Sequence, residues 1–97
     1  MLSNKVCVYA GAIGTREYAL LKEYAASGYD IALMDRDKKK GQDVKEELER
    51  MHHVSVFFFH GDIKSEEDQD LFWGVIQEQY KVEDVIICSD MCQEGNK

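Results

Sequence analysis

Short apolar runs alternate with stretches of mixed polarity along the whole chain. Four such runs occur, at residues 5–10, 30–34, 54–59 and 84–88. Nearly continuous apolar runs of this length, several of them rich in β-branched residues, indicate strands that are covered on both faces, as in a parallel sheet. The pattern therefore predicts four buried strands.

Between these runs, apolar residues recur with the spacing of an amphipathic helix. Helices are predicted over residues 16–27 and 38–51, and a third begins at Ser65, where Asp68 three residues later matches a capping box. Gly28 stands where a helix-ending glycine is expected. The side chains expected to face the sheet are Leu20, Leu21, Tyr24, Ala25, Val44, Leu48, Met51, Leu71, Phe72, Val75, Ile76 and Tyr80.

The resulting order, β-α-β-α-β-α-β, predicts an α/β fold. Alternation of this kind gives a parallel sheet joined by right-handed crossovers, with helices on its faces. In the doubly wound arrangement, the four strands take the order 3-2-1-4 and three helices complete a three-layer fold. A chain of 97 residues has room for one domain, residues 1–97, in which residues 88–97 are expected to form a polar C-terminal tail.

The charge balance narrows the range of partners. Nineteen acidic residues against twelve basic ones give a formal net charge of −7, which repels nucleic acid and anionic membrane surfaces. No apolar run approaches the roughly 20 residues that span a bilayer, and the first residues lack the apolar region of a secretory signal. We therefore expect neither nucleic acid nor membrane as a partner.

Three cysteines, an odd number without a secretory context, favour reduced thiols in the cytoplasm. Cys7 and Cys88 lie within apolar runs and are expected to be small buried side chains. The pair Cys88 and Cys92, with a histidine nearby, could be imagined as a metal site. Because its spacing matches no common zinc pattern, we expect no metal.

Several segments resemble the opening of the short-chain dehydrogenase/reductase family. They are VCVYAGAIG at residues 6–14, GYDIALMDRD at 28–37, KGQDVKEEL at 40–48 and GDIKSEED at 61–68. When Gly11 is set on the first glycine of the family's Thr-Gly-x-x-x-Gly-x-Gly loop, Gly28 and Asp35 meet their equivalents without a gap. The resemblance covers nearly the whole chain but only the first half of the family, so it implies a truncated Rossmann-like fold.

This resemblance implies an NAD(P)-binding edge of the sheet. The cofactor-binding residues that it implies are Gly11 and Gly14 in the phosphate loop, Asp35 and Arg36 after the second strand, and Asp62 and Ile63 beside the adenine. An acid after the second strand accepts from the ribose hydroxyls of NAD, whereas an adjacent arginine accommodates the 2′-phosphate of NADP. Plain polar turns at residues 35–37 and 60–62 are the alternative interpretation.

The phosphate loop departs from the family pattern. Thr15 and Glu17 stand at its second and third glycine positions. The free N–H groups and the positive dipole end at the start of a helix attract a pyrophosphate, but a carboxylate in the first turn can interact with them instead. Such a carboxylate would also repel a diphosphate. Since Thr15 and Glu17 can stabilise the start of the helix instead, we expect a closed phosphate site, with no cofactor or only weak NAD(P) binding.

No catalytic residues are expected. The family's Asn-Asn-Ala-Gly motif is replaced by Cys-Ser-Asp-Met at residues 88–91, and its serine and Tyr-x-x-x-Lys pair belong to a second half that would follow residue 97. Tyr18 and Lys22 have the family's spacing, but on the first helix, where such a pair is expected to be only a helix face. The resemblance therefore implies a pseudoenzyme.

Truncation would leave the strand at residues 84–88 as an exposed edge with unpaired backbone groups. Helices that cover the sheet beside it would also be missing, which leaves an apolar patch. We expect this edge to form a homo-oligomer or to bind a partner protein. The favoured hypothesis is a non-catalytic interaction or structural module. The alternatives are a weak NAD(P)- or adenine-nucleotide-binding module and the N-terminal half of a split oxidoreductase.

Overall fold

The computed structural model describes residues 5–87, without the side chain of Val82. Its elements are β1 (Val6–Ala10), α1 (Thr15–Ala26), β2 (Asp30–Asp35), α2 (Lys38–His52), β3 (Val56–His60), α3 (Glu66–Gln79) and β4 (Val85–Ile87), with a 3₁₀ turn at Val82–Asp84. The strands form one parallel sheet in the order β3-β2-β1-β4. The predicted α/β fold is therefore confirmed, while the predicted tail at residues 88–97 lies outside the described residues.

Alternation along the strands divides the core into two layers. In β1, Cys7 and Tyr9 belong to the layer that α1 and α2 cover, whereas Val6 and Val8 belong to the layer under α3. Every residue of β1 is buried, including Cys7 as predicted. Since fully burying a valine-sized side chain contributes about 1.5–3 kcal/mol, the two-sided burial of the central strands is a main source of the stability of this fold.

Three side chains that were predicted to face the sheet are largely exposed. Leu20, Met51 and Leu71 have 38%, 51% and 55% of their surface exposed. Leu20 and Leu71 each precede a fully buried residue of the same helix, and successive helical residues point about 100° apart. Only one residue of each apolar pair can therefore lie against the sheet. Met51 lies most of a turn beyond Leu48, the last buried residue of α2.

Local hydrogen bonds fix the ends of the helices. Asp37 Oδ1 accepts from the backbone N–H of Lys40 at 3.1 Å, which caps the start of α2. Ser65 Oγ accepts from the backbone N–H of Asp68 at 3.2 Å, which caps α3 at its predicted start. The chain leaves α1 through Gly28, whose φ of 94° favours glycine. None of the helices within residues 5–87 is long and apolar enough to cross a membrane.

The strand β4 forms one edge of the described sheet. Its three residues pair with β1, with Val85 opposite Val6 and Ile87 opposite Val8. Because Val8 belongs to the layer under α3, the register places Ile87 on that face of the sheet. The side chain of Ile87 is 37% exposed. Within residues 5–87, therefore, the predicted edge is present and carries an exposed apolar side chain.

Candidate functional site

A cavity of about 210 Å³ opens where β1, β2 and β3 end. The carboxyl ends of parallel strands meet at one edge of the sheet, and open α/β sheets bind ligands there. The residues that line the cavity are Gly11, Ala12, Asp35, Arg36, Gly61, Asp62, Ile63 and Lys64. Five of the six residues that the sequence suggested for cofactor binding thus share one cavity, and the sixth, Gly14, does not line it.

Gly11 makes the tight turn that follows β1. Its φ is 131°, a conformation that side chains rarely adopt, and its backbone N–H donates to the carbonyl of Met34 at 3.0 Å. The phenolic hydroxyl of Tyr9 donates to the carbonyl of Ala12 at 2.6 Å and holds the next residue of the loop. The loop after β1 is therefore fixed against both β1 and β2.

Asp35 is the most unusual polar group in the wall of the cavity. Its side chain is 4% exposed, and Oδ1 accepts from the backbone N–H of Asp37 at 3.0 Å. Oδ2 is buried and has no hydrogen-bond partner among the described residues. Leaving a buried acceptor unsatisfied costs about 1–3 kcal/mol, and more for a charged group. Asp35 therefore makes the polar turn through Oδ1, while Oδ2 is left without a donor among the described residues.

The loop after β3 forms the opposite wall of the cavity. Asp62 Oδ1 accepts from the backbone N–H of Lys64 at 2.9 Å, and the backbone N–H of Asp62 donates to Asp68 Oδ2 at the same distance. The carboxylate of Asp68 therefore holds this loop instead of closing the predicted capping box. The Gln69 amide donates to the carbonyl of Ile63. Thus the first turn of α3 positions the loop, and Ile63 supplies an apolar part of the wall.

The N-terminus of α1 is occupied by a side chain of its own helix. Glu17 Oε1 accepts from the backbone N–H of Gly14 at 3.1 Å. A Cβ added to Gly14 would lie 2.8 Å from that oxygen, so the carboxylate rests directly against the backbone. Gly14 and Thr15 line a separate cleft of about 160 Å³, which also includes Lys40. This is the arrangement expected if Glu17 stabilises the helix start and closes the phosphate site.

Tyr18 and Lys22 lie beside each other on α1, and neither lines the cavity. The Lys22 ammonium lies 5.0 Å from the centre of the Tyr18 ring, and the Tyr18 hydroxyl donates to Glu47 Oε1. Burial and then the hydrogen bond to Glu47 raise the pKa of Tyr18 well above its ordinary value.

One buried polar pair was missed by the sequence analysis. The Tyr80 hydroxyl donates to Asp30 Oδ2 at 2.7 Å, and the backbone N–H of Ser55 donates to Asp30 Oδ1 at 3.3 Å. The only signal in the sequence was an aspartate at the first position of an apolar run. Since Asp30 begins β2 and the cavity lies where β2 ends, this pair stabilises the fold and takes no part in the cavity.

The described residues contain no metal centre. Within residues 5–87, no group of three or more histidine, cysteine, aspartate or glutamate side chains could hold a metal ion. The imagined site at Cys88 and Cys92 lies outside that range.

The cavity is also lined by Gly61, Lys64 and Ala12, which the sequence did not suggest as site residues. Loop residues of these types carry no distinctive sequence pattern.

A four-stranded parallel sheet of order 3-2-1-4 with helices on both faces defines a Rossmann-like α/β fold. A family model described as short chain dehydrogenase matches residues 5–89 of the chain. The chain therefore belongs to the short-chain dehydrogenase family, as the resemblance in its sequence implied. No curated protein matches the chain significantly.

Solved structures of dehydrogenases and reductases share the fold. L-sorbose reductase from Gluconobacter frateurii, complexed with NADPH and L-sorbose, has a TM-score of 0.73 and 22% identity over 81% of this chain and 30% of its own. NAD⁺-bound xylitol dehydrogenase has a TM-score of 0.68 and 25% identity over 78% of this chain and 29% of its own. The bulky-bulky ketone specific alcohol dehydrogenase from Comamonas testosteroni has a TM-score of 0.70 and 15% identity over 80% of this chain and 31% of its own. The chain thus spans about 30% of the length of these proteins.

Proposed function

We propose that the cavity binds the adenosine part of a nucleotide and that Asp35 holds the ribose hydroxyls. The observation that carries this proposal is Asp35, which lines the cavity and whose second carboxylate oxygen is buried without a hydrogen-bond donor among the described residues. A ribose offers two adjacent hydroxyl donors, and an acid after the second strand of this fold accepts from them.

The size and lining of the cavity support one nucleoside. A volume of about 210 Å³ is below the range of roughly 300–1,000 Å³ of sites that enclose drug-sized ligands. Ile63 provides an apolar surface for a flat base, and Arg36 and Lys64 are exposed basic side chains at the rim. Adenine is the proposed base because solved relatives hold NADPH and NAD⁺.

The proposed activity is binding without catalysis. A nicotinamide cofactor, when bound, supplies hydride transfer, and that chemistry needs a proton donor beside the substrate. Among the described residues, the one tyrosine with the family's spacing to a lysine donates its hydrogen bond to Glu47 and has a raised pKa. The odd number of cysteines supports a cytoplasmic location for this binding module.

The test is a titration of ¹⁵N-labelled chain with adenosine and with 2′-deoxyadenosine. We expect saturable shifts at Gly11, Asp35 and Asp62 with adenosine, and weaker binding of the deoxynucleoside, which lacks one donor. Asp35→Asn replaces the buried acceptor with a donor and should weaken adenosine binding by roughly tenfold to a hundredfold, as for other hydrogen bonds to charged groups. The deoxynucleoside should then bind the variant about as well as adenosine does.

Glu46→Gln provides the matched control, because Glu46 is exposed on the outer face of α2 and is not part of the cavity. It removes the same charge and should leave both affinities unchanged. The proposal fails if millimolar adenosine produces no saturable shifts, or if Asp35→Asn binds adenosine as tightly as the unmodified chain.

A second candidate function is self-association through β4. Within residues 5–87, β4 pairs with β1 alone, and Ile87 is 37% exposed on the α3 face. We infer that two copies pair their β4 edges about a twofold axis, since such an edge is self-complementary. The net charge of −7 opposes the approach of two copies, so salt should strengthen the dimer.

Light scattering after size-exclusion chromatography tests this second candidate. Ile87→Lys should make the chain monomeric, whereas Leu71→Lys, at an exposed apolar position of α3, should leave the dimer intact. An unmodified chain that is monomeric at high concentration and high salt would refute self-association, and a dimer that survives Ile87→Lys would place the contact elsewhere.

A further inference from the structure

The start of α1 already holds an anion that belongs to the chain. The first backbone N–H groups of a helix have no partners within the helix, and the helix dipole makes this end positive, so it attracts phosphate. Here Glu17 Oε1 accepts from the backbone N–H of Gly14 at 3.1 Å. The carboxylate lies directly against the backbone of Gly14, since a Cβ there would lie 2.8 Å from Oε1.

A second, independent observation lies in the adjacent cavity. Asp35 is 4% exposed and keeps one carboxylate oxygen without a donor among the described residues. The same short loop links the two places, because Gly11 and Ala12 line the cavity and Gly14 begins α1. One end of the loop therefore lies beside a group that needs hydroxyl donors, and the other end is neutralised by Glu17.

We propose that Glu17 substitutes for the phosphate of a ligand, so that the cavity selects an uncharged nucleoside over the nucleotides made from it. This rests on the proposed function, in which the cavity binds adenosine. The cavity is sized for a nucleoside, and a phosphate that extended from it toward α1 would meet the Glu17 carboxylate at the start of the helix. It would lose the attraction of the helix end and be repelled by Glu17.

Removal of the Glu17 charge should abolish this preference. Glutamine at the third position of a helix can still accept from the backbone N–H at the cap, so Glu17→Gln keeps the helix start while removing the negative charge. Lys40, an exposed cation that lines the cleft beside Gly14, would then favour a phosphate at this place. The control is Glu23→Gln, which removes the same charge from an exposed position later in α1.

The first readout is the ratio of the dissociation constants of ADP and adenosine, measured by calorimetry at low salt. We expect adenosine to bind the unmodified chain roughly tenfold more tightly than ADP, and Glu17→Gln to lower the ratio by about the same factor. Glu23→Gln should leave the ratio unchanged. Tighter binding of ADP than adenosine by the unmodified chain, or an unchanged ratio in Glu17→Gln, would overturn the inference.

The second readout is independent of the nucleoside. Inorganic pyrophosphate is titrated into ¹⁵N-labelled chain, and the backbone amides of residues 14–17 are followed. Saturable shifts are expected in Glu17→Gln but not in the unmodified chain or in Glu23→Gln. If adenosine fails to bind while this difference appears, the proposed nucleoside function is wrong and the closure by Glu17 stands. If pyrophosphate shifts these amides equally in all three chains, the closure itself is refuted.

Discussion

Two glycines within helices, one in α2 and one in α3, offer a test of how closely α2 packs on the sheet. A Cβ added at Gly41 would lie 2.0 Å from Cε1 of Phe58 and 2.2 Å from its Cζ, far inside the 3.4 Å at which ordinary contact begins. A Cβ added at Gly74, in α3, would meet no atom within 4 Å. The same substitution, glycine to alanine, therefore separates helix propensity from packing.

The propensity gain is equal at the two positions. Alanine stabilises a helix interior by about 1 kcal/mol relative to glycine, so Gly74→Ala should raise the free energy of unfolding by about that amount. Gly41→Ala gains the same propensity, but the Phe58 ring must move by more than an ångström, and such overpacking costs about 1–3 kcal/mol. Gly41→Ala should therefore be about 1–3 kcal/mol less stable than Gly74→Ala.

Urea unfolding followed by circular dichroism measures both free energies, and the slope of each transition shows whether the denatured state has changed. A second background sharpens the test. With Phe58→Ala the obstructing ring is gone, and Gly41→Ala should then stabilise the chain as much as Gly74→Ala does. Equal effects of the two alanines in the unmodified background would refute the close approach of α2 to β3.

Two further predictions concern single hydrogen bonds. The pKa of Tyr80 is raised well above its ordinary value, mainly because the side chain is partly buried. The hydrogen bond to Asp30 and the negative charge of Asp30 raise this pKa further. Above about pH 10 the unfolded chain loses a proton that the native chain keeps, so stability should fall with rising pH, and less so in Tyr80→Phe. Equal slopes in urea unfolding against pH would contradict this. Asp37→Ala removes the cap on Lys40 and should lower the free energy of unfolding by about 1 kcal/mol. Asp43→Ala, which removes only an exposed ion pair, should cost less than about 0.5 kcal/mol, and a similar loss in both would count against the cap.

The order of the elements could be predicted because burial on both faces leaves a strong mark on the sequence. The run at residues 30–34 contains a strand buried at every position, and the glycine after the first helix stands at a left-handed turn. The inward face of each helix was less certain. Where two apolar residues are adjacent, as Leu20 is to Leu21, periodicity does not choose between them, and contact with the sheet decides.

The position of the candidate site was also predictable, since residues that follow parallel strands share one edge of the sheet. Asp35 and Asp62 meet at the cavity for that reason. The bond between Tyr80 and Asp30 was not predictable, because fifty residues separate its partners and neither type is unusual where it stands. Which oxygen of Asp35 has a hydrogen-bond donor likewise depends on tertiary packing, which cannot be read from the local sequence.

The two acidic side chains near the loop after β1, Glu17 and Asp35, differ in whether their oxygens have hydrogen-bond donors. This difference distinguishes a side chain suited to binding a ligand from one suited to closing the phosphate site. Glu17 meets a backbone N–H that the helix leaves unpaired, so its presence stabilises the fold without any ligand. Asp35 satisfies one oxygen and, among residues 5–87, buries the other without a donor, an arrangement that costs about 1–3 kcal/mol or more. A serine could accept from the backbone N–H of Asp37 without burying a second polar atom. A donor that enters the cavity would offset this penalty, which is why the proposal gives Asp35 to the ligand and Glu17 to the closure of the phosphate site.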